Sequence, residues 1–324
     1  MKLCIDFYKY LLRFFLIGVF VCTNLCACAR LSGYATRTWT RTWAKQATHK
    51  TDTTKVITMH FKKHAEQSPL VIAHRGGSLE APENTLPALE RAVRIGSDVQ
   101  EIDVTLSQDG KIVVIHDDTV ARTTNWDPRD GTSRVEEMPY NVMRRLSAGN
   151  PRFADTTASF LRMLDVELPH FETTYAAAYV PTLQDVLAIP NTQLMIELKK
   201  TPRAEALAIA VVQAVHEAHA EKRVGIASFD ALLLARVHAL DPSLPLIGIV
   251  DHIDSLQAAL TLPLSVIAVR SDWVGDVLEQ KSESMAVWVW TVYRASDARM
   301  LAEAGVDGVI TDAPSAVLRE FKRL

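Results

Sequence analysis

From Pro69 onward the chain alternates short apolar runs with stretches of helical periodicity. The runs predict strands at Leu70–Ala73, Val99–Thr105, Ile112–Ile115, Leu194–Leu198, Val224–Ser228, Leu246–Val250, Val266–Val269, Val287–Val292 and Gly308–Thr311. Between most of them apolar residues recur at helical spacing, as in Thr85–Ile95, Ala204–Ala220, Ala231–Leu240 and Ser296–Ala304. Strand–helix alternation of this kind implies βα units and a parallel sheet.

One junction breaks the rule. Asp109-Gly110 joins the second and third runs, and Asp-Gly is a strong two-residue hairpin signal. Parallel neighbours need a crossover of about a dozen residues or more, for which there is no room. The third strand is therefore expected to run antiparallel, as an appendage of the second. Eight parallel strands remain, the number that closes a (β/α)8 TIM barrel in the α/β class.

A two-residue loop sets Gln108 opposite Lys111 and, further back, Asp103 opposite His116. Cross-strand partners share a face, and Glu101, two residues before Asp103, shares it too. The expectation is that Glu101, Asp103 and His116 project into one pocket. A slip of one residue would turn His116 away. Between His116 and Leu194 no clear βα unit occurs, which is too long for a plain loop. The segment, about 119–192, is expected to be an insertion over the carboxyl end of the barrel. Within it Pro181-Thr182-Leu183-Gln184-Asp185 reads as a helix start, with Thr182 as N-cap and Asp185 at N3.

The amino end has another character. Lys2, Lys9 and Arg13 precede an apolar run from Phe14 to Val21, and small residues follow, the pattern of an export signal over residues 1–28. The run is shorter than the ~20 residues a bilayer-spanning helix needs. All four cysteines, Cys4, Cys22, Cys26 and Cys28, lie here, which excludes a disulfide framework or thiolate metal site in the folded domain. Leu25-Cys26-Ala27-Cys28 resembles a bacterial lipoprotein cleavage box, with Cys28 as the lipidated residue. The expectation is an exported protein anchored to a membrane, with Ala29 favouring the outer one. Ordinary cleavage to a soluble product is the alternative.

Residues 29–68 are rich in Thr, Arg, Lys and Ala, and contain the near-repeat Thr36-Arg37-Thr38-Trp39 and Thr40-Arg41-Thr42-Trp43. They read as a basic tether. Its tryptophans suit a lipid interface or are incidental to a disordered linker. Residues 1–69 carry eleven basic and three acidic side chains, so against a whole-chain charge of −3 residues 70–324 sum to −11. A basic arm beside an acidic domain suits anionic lipid. It argues against nucleic acid, whose binders carry basic patches on the folded domain. The sequence points to no protein partner.

The candidate chemistry is concentrated in residues 74–116. His74-Arg75 ends one strand, Glu101-Ile102-Asp103 lies on the next, and His116 follows the hairpin. Carboxylates suit Mg²⁺ or Ca²⁺. Histidine titrates near neutrality and serves as general acid or base. Arginine matches phosphate oxygens with a planar fork of donors. Together these are parts for metal-assisted cleavage of a phosphodiester.

From His74-Arg75-Gly76 the chain closely resembles the glycerophosphodiester phosphodiesterase family. The shared motifs are Pro82-Glu83-Asn84-Thr85, Glu101-Ile102-Asp103-Val104, Asp109-Gly110 running into His116-Asp117, Pro181-Thr182-Leu183, Ile196-Glu197-Leu198-Lys199, Trp290-Thr291-Val292 and Gly305-Val306-Asp307-Gly308, in the family's order. The resemblance implies a (β/α)8 barrel with an inserted segment. It also implies hydrolysis of small glycerophosphodiesters to an alcohol and glycerol 3-phosphate. By motif, Glu101, Asp103 and Glu197 would hold a divalent metal, Ca²⁺ or Mg²⁺. His74 and His116 would be the acid–base pair, and Arg75 and Lys199 would meet the phosphate. Glu197 and Lys199, two apart on a strand, face the same way.

Trp290 is a candidate substrate contact at the barrel mouth. Asn84 reads first as a cap for the helix near Thr85, with contact to the substrate as the alternative. Tyr293 stands where the family usually has Asn or Asp, and residues 147–180 depart from its pattern, which leaves head-group preference open. His216 and His219 are expected to be exposed, and the remaining histidines carry no motif. Two alternatives share the motifs or the barrel: a lysophospholipase D or sphingomyelinase D-like enzyme, and a non-catalytic surface-binding lipoprotein.

Overall fold

The computed structural model describes residues 68–149, 175, 177–282 and 284–322. The expected export segment with Cys28, the basic tether and the centre of the insertion lie outside these residues.

Among the described residues nine strands form one sheet: β1 (Leu70–Ala73), β2 (Val99–Leu106), β3 (Ile112–Val114), β4 (Leu194–Leu198), β5 (Val224–Ser228), β6 (Leu246–Val250), β7 (Val266–Arg270), β8 (Ala286–Val292) and β9 (Gly308–Thr311). Neighbours run β1-β9-β8-β7-β6-β5-β4-β2, and β1 also pairs with β2, which closes eight parallel strands into a barrel. Registers at the seam include Ile72 with Val99 and Ala73 with Thr311. The helices are α1 (Leu86–Arg94), α2 (Tyr140–Met143), α3 (Leu183–Leu187), α4 (Ala204–Glu217), α5 (Ala231–Leu240), α6 (Ile253–Ala259), α7 (Val274–Gln280), α8 (Ala295–Glu303) and α9 (Pro314–Glu320). Among the described residues no helix is long and apolar enough to cross a membrane.

The (β/α)8 expectation holds, and strand ends differ from the sequence reading by a residue or so. The reason is burial on both faces. Alternate residues of each parallel strand enter one of two apolar layers, so the strands read as unbroken apolar runs. Val71, Ile102, Val104, Ile196 and Leu198 join the layer beneath the helices. Ile72, Val99, Met195, Ile247, Ala268, Trp288 and Ile310 fill the barrel interior. Gly308 makes room for Trp288: a Cβ there would lie 2.6 Å from the indole Cδ1. Removing the Trp288 side chain would leave a large void, a change that costs about 3–5 kcal/mol.

The interior rows place the chemistry. Glu101 follows Val99 by two residues and Glu197 follows Met195 by two, so both carboxylates continue inward-facing rows toward the carboxyl end. In the β2–β4 ladder Asp103 pairs with Glu197, which puts those two on one face.

The hairpin corrects one expectation. β3 is antiparallel to β2, as the Asp-Gly signal implied, but Val104 pairs with Val114 and Leu106 with Ile112. Asp103 therefore lies opposite Ile115, whose N–H donates to the Asp103 carbonyl at 2.9 Å, and His116 is one residue out of the expected register. The loop has three residues, not two. Ser107 faces Lys111, and Gly110 takes φ +79°, the left-handed position that ends such a loop. Ser107 Oγ also accepts from the Lys111 N–H and donates to Asp109, which fixes the longer turn.

Beyond β3 the start of the insertion builds a small core of its own from Val113, Ile115, Val120, Val135, Met138 and Met143. Thr182 and Asp185 form the reciprocal cap of α3: Asp185 N–H donates to Thr182 Oγ1 at 3.2 Å, and Thr182 N–H to Asp185 Oδ2 at 2.9 Å.

Candidate active site

Immediately after β1 the chain turns sharply through His74, Arg75 and Gly76. Gly76 is at φ +82°, and a Cβ there would lie 2.9 Å from Ala88 Cβ on α1. Arg75 itself is left-handed at φ 52°, an uncommon state for a non-glycine residue that marks functional turns. The turn aims the Arg75 N–H at Glu101 Oε2, 2.7 Å away. His74 Nδ1 meets Asp312 Oδ1 at 2.6 Å, across the seam where β9 adjoins β1. An ionised carboxylate only accepts, so Nδ1 carries the proton and the neutral ring keeps its lone pair at Nε2. Burial disfavours charging His74, but the Asp312 carboxylate outweighs it with help from Glu101, and its pKa is raised.

Glu101, Asp103 and Glu197 present carboxylate oxygens that all lie within 4.8 Å of one another, and all three residues are buried. Arg75 Nη1 donates to Glu83 at 3.0 Å, with Nε 3.4 Å from Asp103 Oδ2. Lys199 Nζ donates to Glu197 Oε1 at 2.7 Å and to Asp103 Oδ1 at 3.3 Å. Burial opposes ionisation of Asp103, yet Lys199 and Arg75 beside it hold its carboxyl well below the usual range. Glu101 goes the other way. Burial and the neighbouring Asp103 charge push it up to about 8. Burial and Asp103 likewise raise Glu197.

One detail bears on a metal. Glu101 Oε1 is buried and has no hydrogen-bond partner, a costly state for a carboxylate oxygen. An unsatisfied oxygen among three crowded carboxylates fits a hard divalent cation, which takes oxygen ligands. The donor set contains no sulfur or nitrogen, which suits a hard divalent cation better than a softer ion.

His116 lies in the bend after β3. Despite the shifted register, it lies close enough to Glu83, Asp103 and Glu197 to interact with them electrostatically. Its Nδ1 meets Asp117 Oδ1 at 2.8 Å, so His116 repeats the tautomer of His74. Trp290 continues the interior row above Trp288, donates Nε1–H to the Ala268 carbonyl at 3.1 Å, and meets Phe229 edge-on at 5.5 Å. A cavity of about 530 Å³ extends from Glu197 and Lys199 past Phe229 and Asp230 to Asp251.

One sequence reading changes. Asn84 is not the cap of α1, because Thr85 accepts the Ala88 N–H. Asn84 instead adopts φ 57° and holds Asp103, donating Nδ2–H to Oδ2 at 2.8 Å. Sequence reasoning also missed Asp312, Arg122 and the role of Glu83. Asp312 is 238 residues from the ring it orients. Only the closing of the barrel brings the two together.

The glycerophosphoryl diester phosphodiesterase family model matches residues 74–316. The chain belongs to this family. A glycerophosphodiester phosphodiesterase of Caldanaerobacter subterraneus is 31% identical over 78% of this chain and 98% of its own length. Human glycerophosphodiester phosphodiesterase 1 is 45% identical over 82 residues, 25% of this chain and 23% of its own. Among solved structures, an Oleispira antarctica phosphodiesterase in complex with the product sn-glycerol-3-phosphate superposes with a TM-score of 0.64 at 26% identity, covering 79% of this chain and 97% of that one. A family member from Silicibacter pomeroyi gives 0.67 at 24% identity, over 80% and 94%. Family membership and this architecture agree: the matched span runs from His74 to just beyond Asp312.

Proposed function

We propose that the chain hydrolyses glycerophosphodiesters to an alcohol and glycerol 3-phosphate, with His74 and His116 as its acid–base pair. The observation that carries the reading is the convergence of three buried carboxylates, one with an orphaned oxygen, on a site flanked by two imidazoles each held at Nδ1 by an aspartate. The product named for the Oleispira complex and the activity named for the Caldanaerobacter relative support it. Glu101, Asp103 and Glu197 would hold Ca²⁺ or Mg²⁺, which when bound neutralises charge building on a phosphoryl oxygen.

Arg75 and Lys199 bring two further positive charges to the same place and hold the phosphate. One histidine removes a proton from the substrate's 2-hydroxyl, which attacks phosphorus, while the other protonates the leaving head-group alkoxide; the same pair then activates a water that opens the cyclic phosphate to glycerol 3-phosphate. Trp290 offers an apolar wall to the glycerol. The cavity beyond Lys199 is of the size usual for small-ligand sites and would take the head group. Glycerol 3-phosphate release is measured in a coupled assay for His74→Ala and His116→Ala. Each is expected to lose at least ~100-fold in turnover, and full turnover in either would refute the pair.

Phe229, 43% exposed, lines this cavity and supports a second reading. An exposed apolar side chain there suits a substrate that keeps an acyl chain, as for a lysophospholipase D. Comparing a lysophospholipid with its deacylated counterpart separates the two. We further propose that export and lipidation at Cys28 hold the enzyme at a membrane; Cys28→Ala should release it to the soluble fraction.

A further inference from the structure

We propose that Arg122 is a positioning residue that locks the His116 ring and the Arg75 guanidinium into one rigid unit. The inference rests on the reading of His116 and Arg75 given above. Arg122 lies just after His116, at the start of the inserted segment. Its guanidinium spans two carboxylates. Nε donates to Asp117 Oδ2 at 2.7 Å and Nη2 to Asp117 Oδ1 at 2.8 Å. Nη1 donates to Glu83 Oε2 at 2.6 Å and Nη2 to Glu83 Oε1 at 2.8 Å.

Each carboxylate then passes the constraint on. Asp117 Oδ1 also meets His116 Nδ1, and Glu83 Oε1 also accepts from Arg75 Nη1. Asp117 thus has both oxygens fixed by a planar fork, which leaves the imidazole one orientation and one tautomer. Glu83, with its side chain 3% exposed, is fixed in the same way and sets the plane of Arg75. The chain of contacts is His116–Asp117–Arg122–Glu83–Arg75, and it is charge-balanced apart from the histidine. His74 is outside it, because Asp312 orients that ring independently. A lysine at 122 would keep the charge but could not reproduce two parallel forks, since its three donors radiate from a single atom.

The test uses Arg122→Lys, which spares the buried carboxylates an unpaired charge, with the protein ¹⁵N-labelled at histidine. The prediction is a fall in kcat of about 10- to 100-fold, the range typical when a residue supporting a functional ligand is lost. The His116 ring nitrogens should move toward a mixture of tautomers while the His74 signals stay as in the unaltered protein. Arg122→Gln combined with Glu83→Gln, which removes both charges together, should show the same His116 change. Unchanged His116 signals with unchanged kcat would overturn the proposal, as would equal disturbance of His74 and His116. If His116→Ala were itself fully active, the acid–base reading would fail instead, and the ring signals in Arg122→Lys would still decide whether Arg122 positions His116.

Discussion

His74 and Asp312 meet across the seam of the barrel, Nδ1 to Oδ1 at 2.6 Å, although 238 residues separate them. The contact forms because β1 and β9 are neighbours, with Ala73 level with Thr311. The loop that follows β9 therefore faces the turn that follows β1.

Replacing Asp312 with Asn removes the main support for His74 protonation. The limb of the pH–rate profile that belongs to His74 should move to lower pH, and kcat should drop by about 10- to 100-fold. Because the folded-state pKa is raised above 6.5, the stability this pairing contributes is fully present below that value. It is lost as pH rises through the folded pKa. Thermal melts of the unaltered protein and Asp312→Asn should converge at alkaline pH. A profile identical to that of the unaltered enzyme would contradict the pairing.

Glu101 shifts in the same direction for a different reason. Its folded-state pKa is pushed from 4.5 to about 8 by burial and by Asp103, so the fold retains a proton that the unfolded chain releases. The stability tied to that proton is intact below 4.5 and drains away as pH climbs through about 8, on the order of a few kcal/mol. In EDTA the melting temperature should fall over this window. Ca²⁺ or Mg²⁺ should restore it most at the alkaline end, where a cation takes the proton's place. Glu101→Gln should flatten both dependences; melts that ignore pH and cation alike would speak against the site.

Asn84 reaches Asp103 from a left-handed backbone position, with Nδ2 2.8 Å from Oδ2. Asn84→Ala deletes the contact that fixes this carboxylate. Cation affinity read by calorimetry is expected to weaken about 10- to 100-fold, the usual consequence of losing a hydrogen bond behind a ligand. Unaltered affinity would mean that Asp103 is held well enough by Arg75 and Lys199.

The barrel strands were legible because each runs through two apolar layers and shows as an unbroken run. A spacing of two on a strand made the shared face of Glu101 with Asp103, and of Glu197 with Lys199, legible too; that Glu197 joins the other two carboxylates was implied by the family motif and not by spacing. The hairpin register was not. Asp109-Gly110 signals a turn, but whether the loop holds two residues or three was decided by Ser107, whose side chain binds Lys111 and Asp109. That preference is invisible in a dipeptide signal. His116 still lies near the site's carboxylates because the ladder bonds end at Ile115 and the bend begins at His116 itself. Arg122, Glu83 and Asp312 escaped notice for another reason. Each acts through a partner that only the folded chain brings near, and nothing in local spacing marks them.

Under the proposed function, a cation held by Glu101, Asp103 and Glu197 is required for phosphodiester cleavage between the two histidines. The most direct test is glycerol 3-phosphate release from a glycerophosphodiester by EDTA-stripped protein, followed as Ca²⁺ or Mg²⁺ is added back. No detectable release is expected in EDTA, with saturable recovery as one of the two ions is added. Release at the full rate without a divalent ion would contradict it.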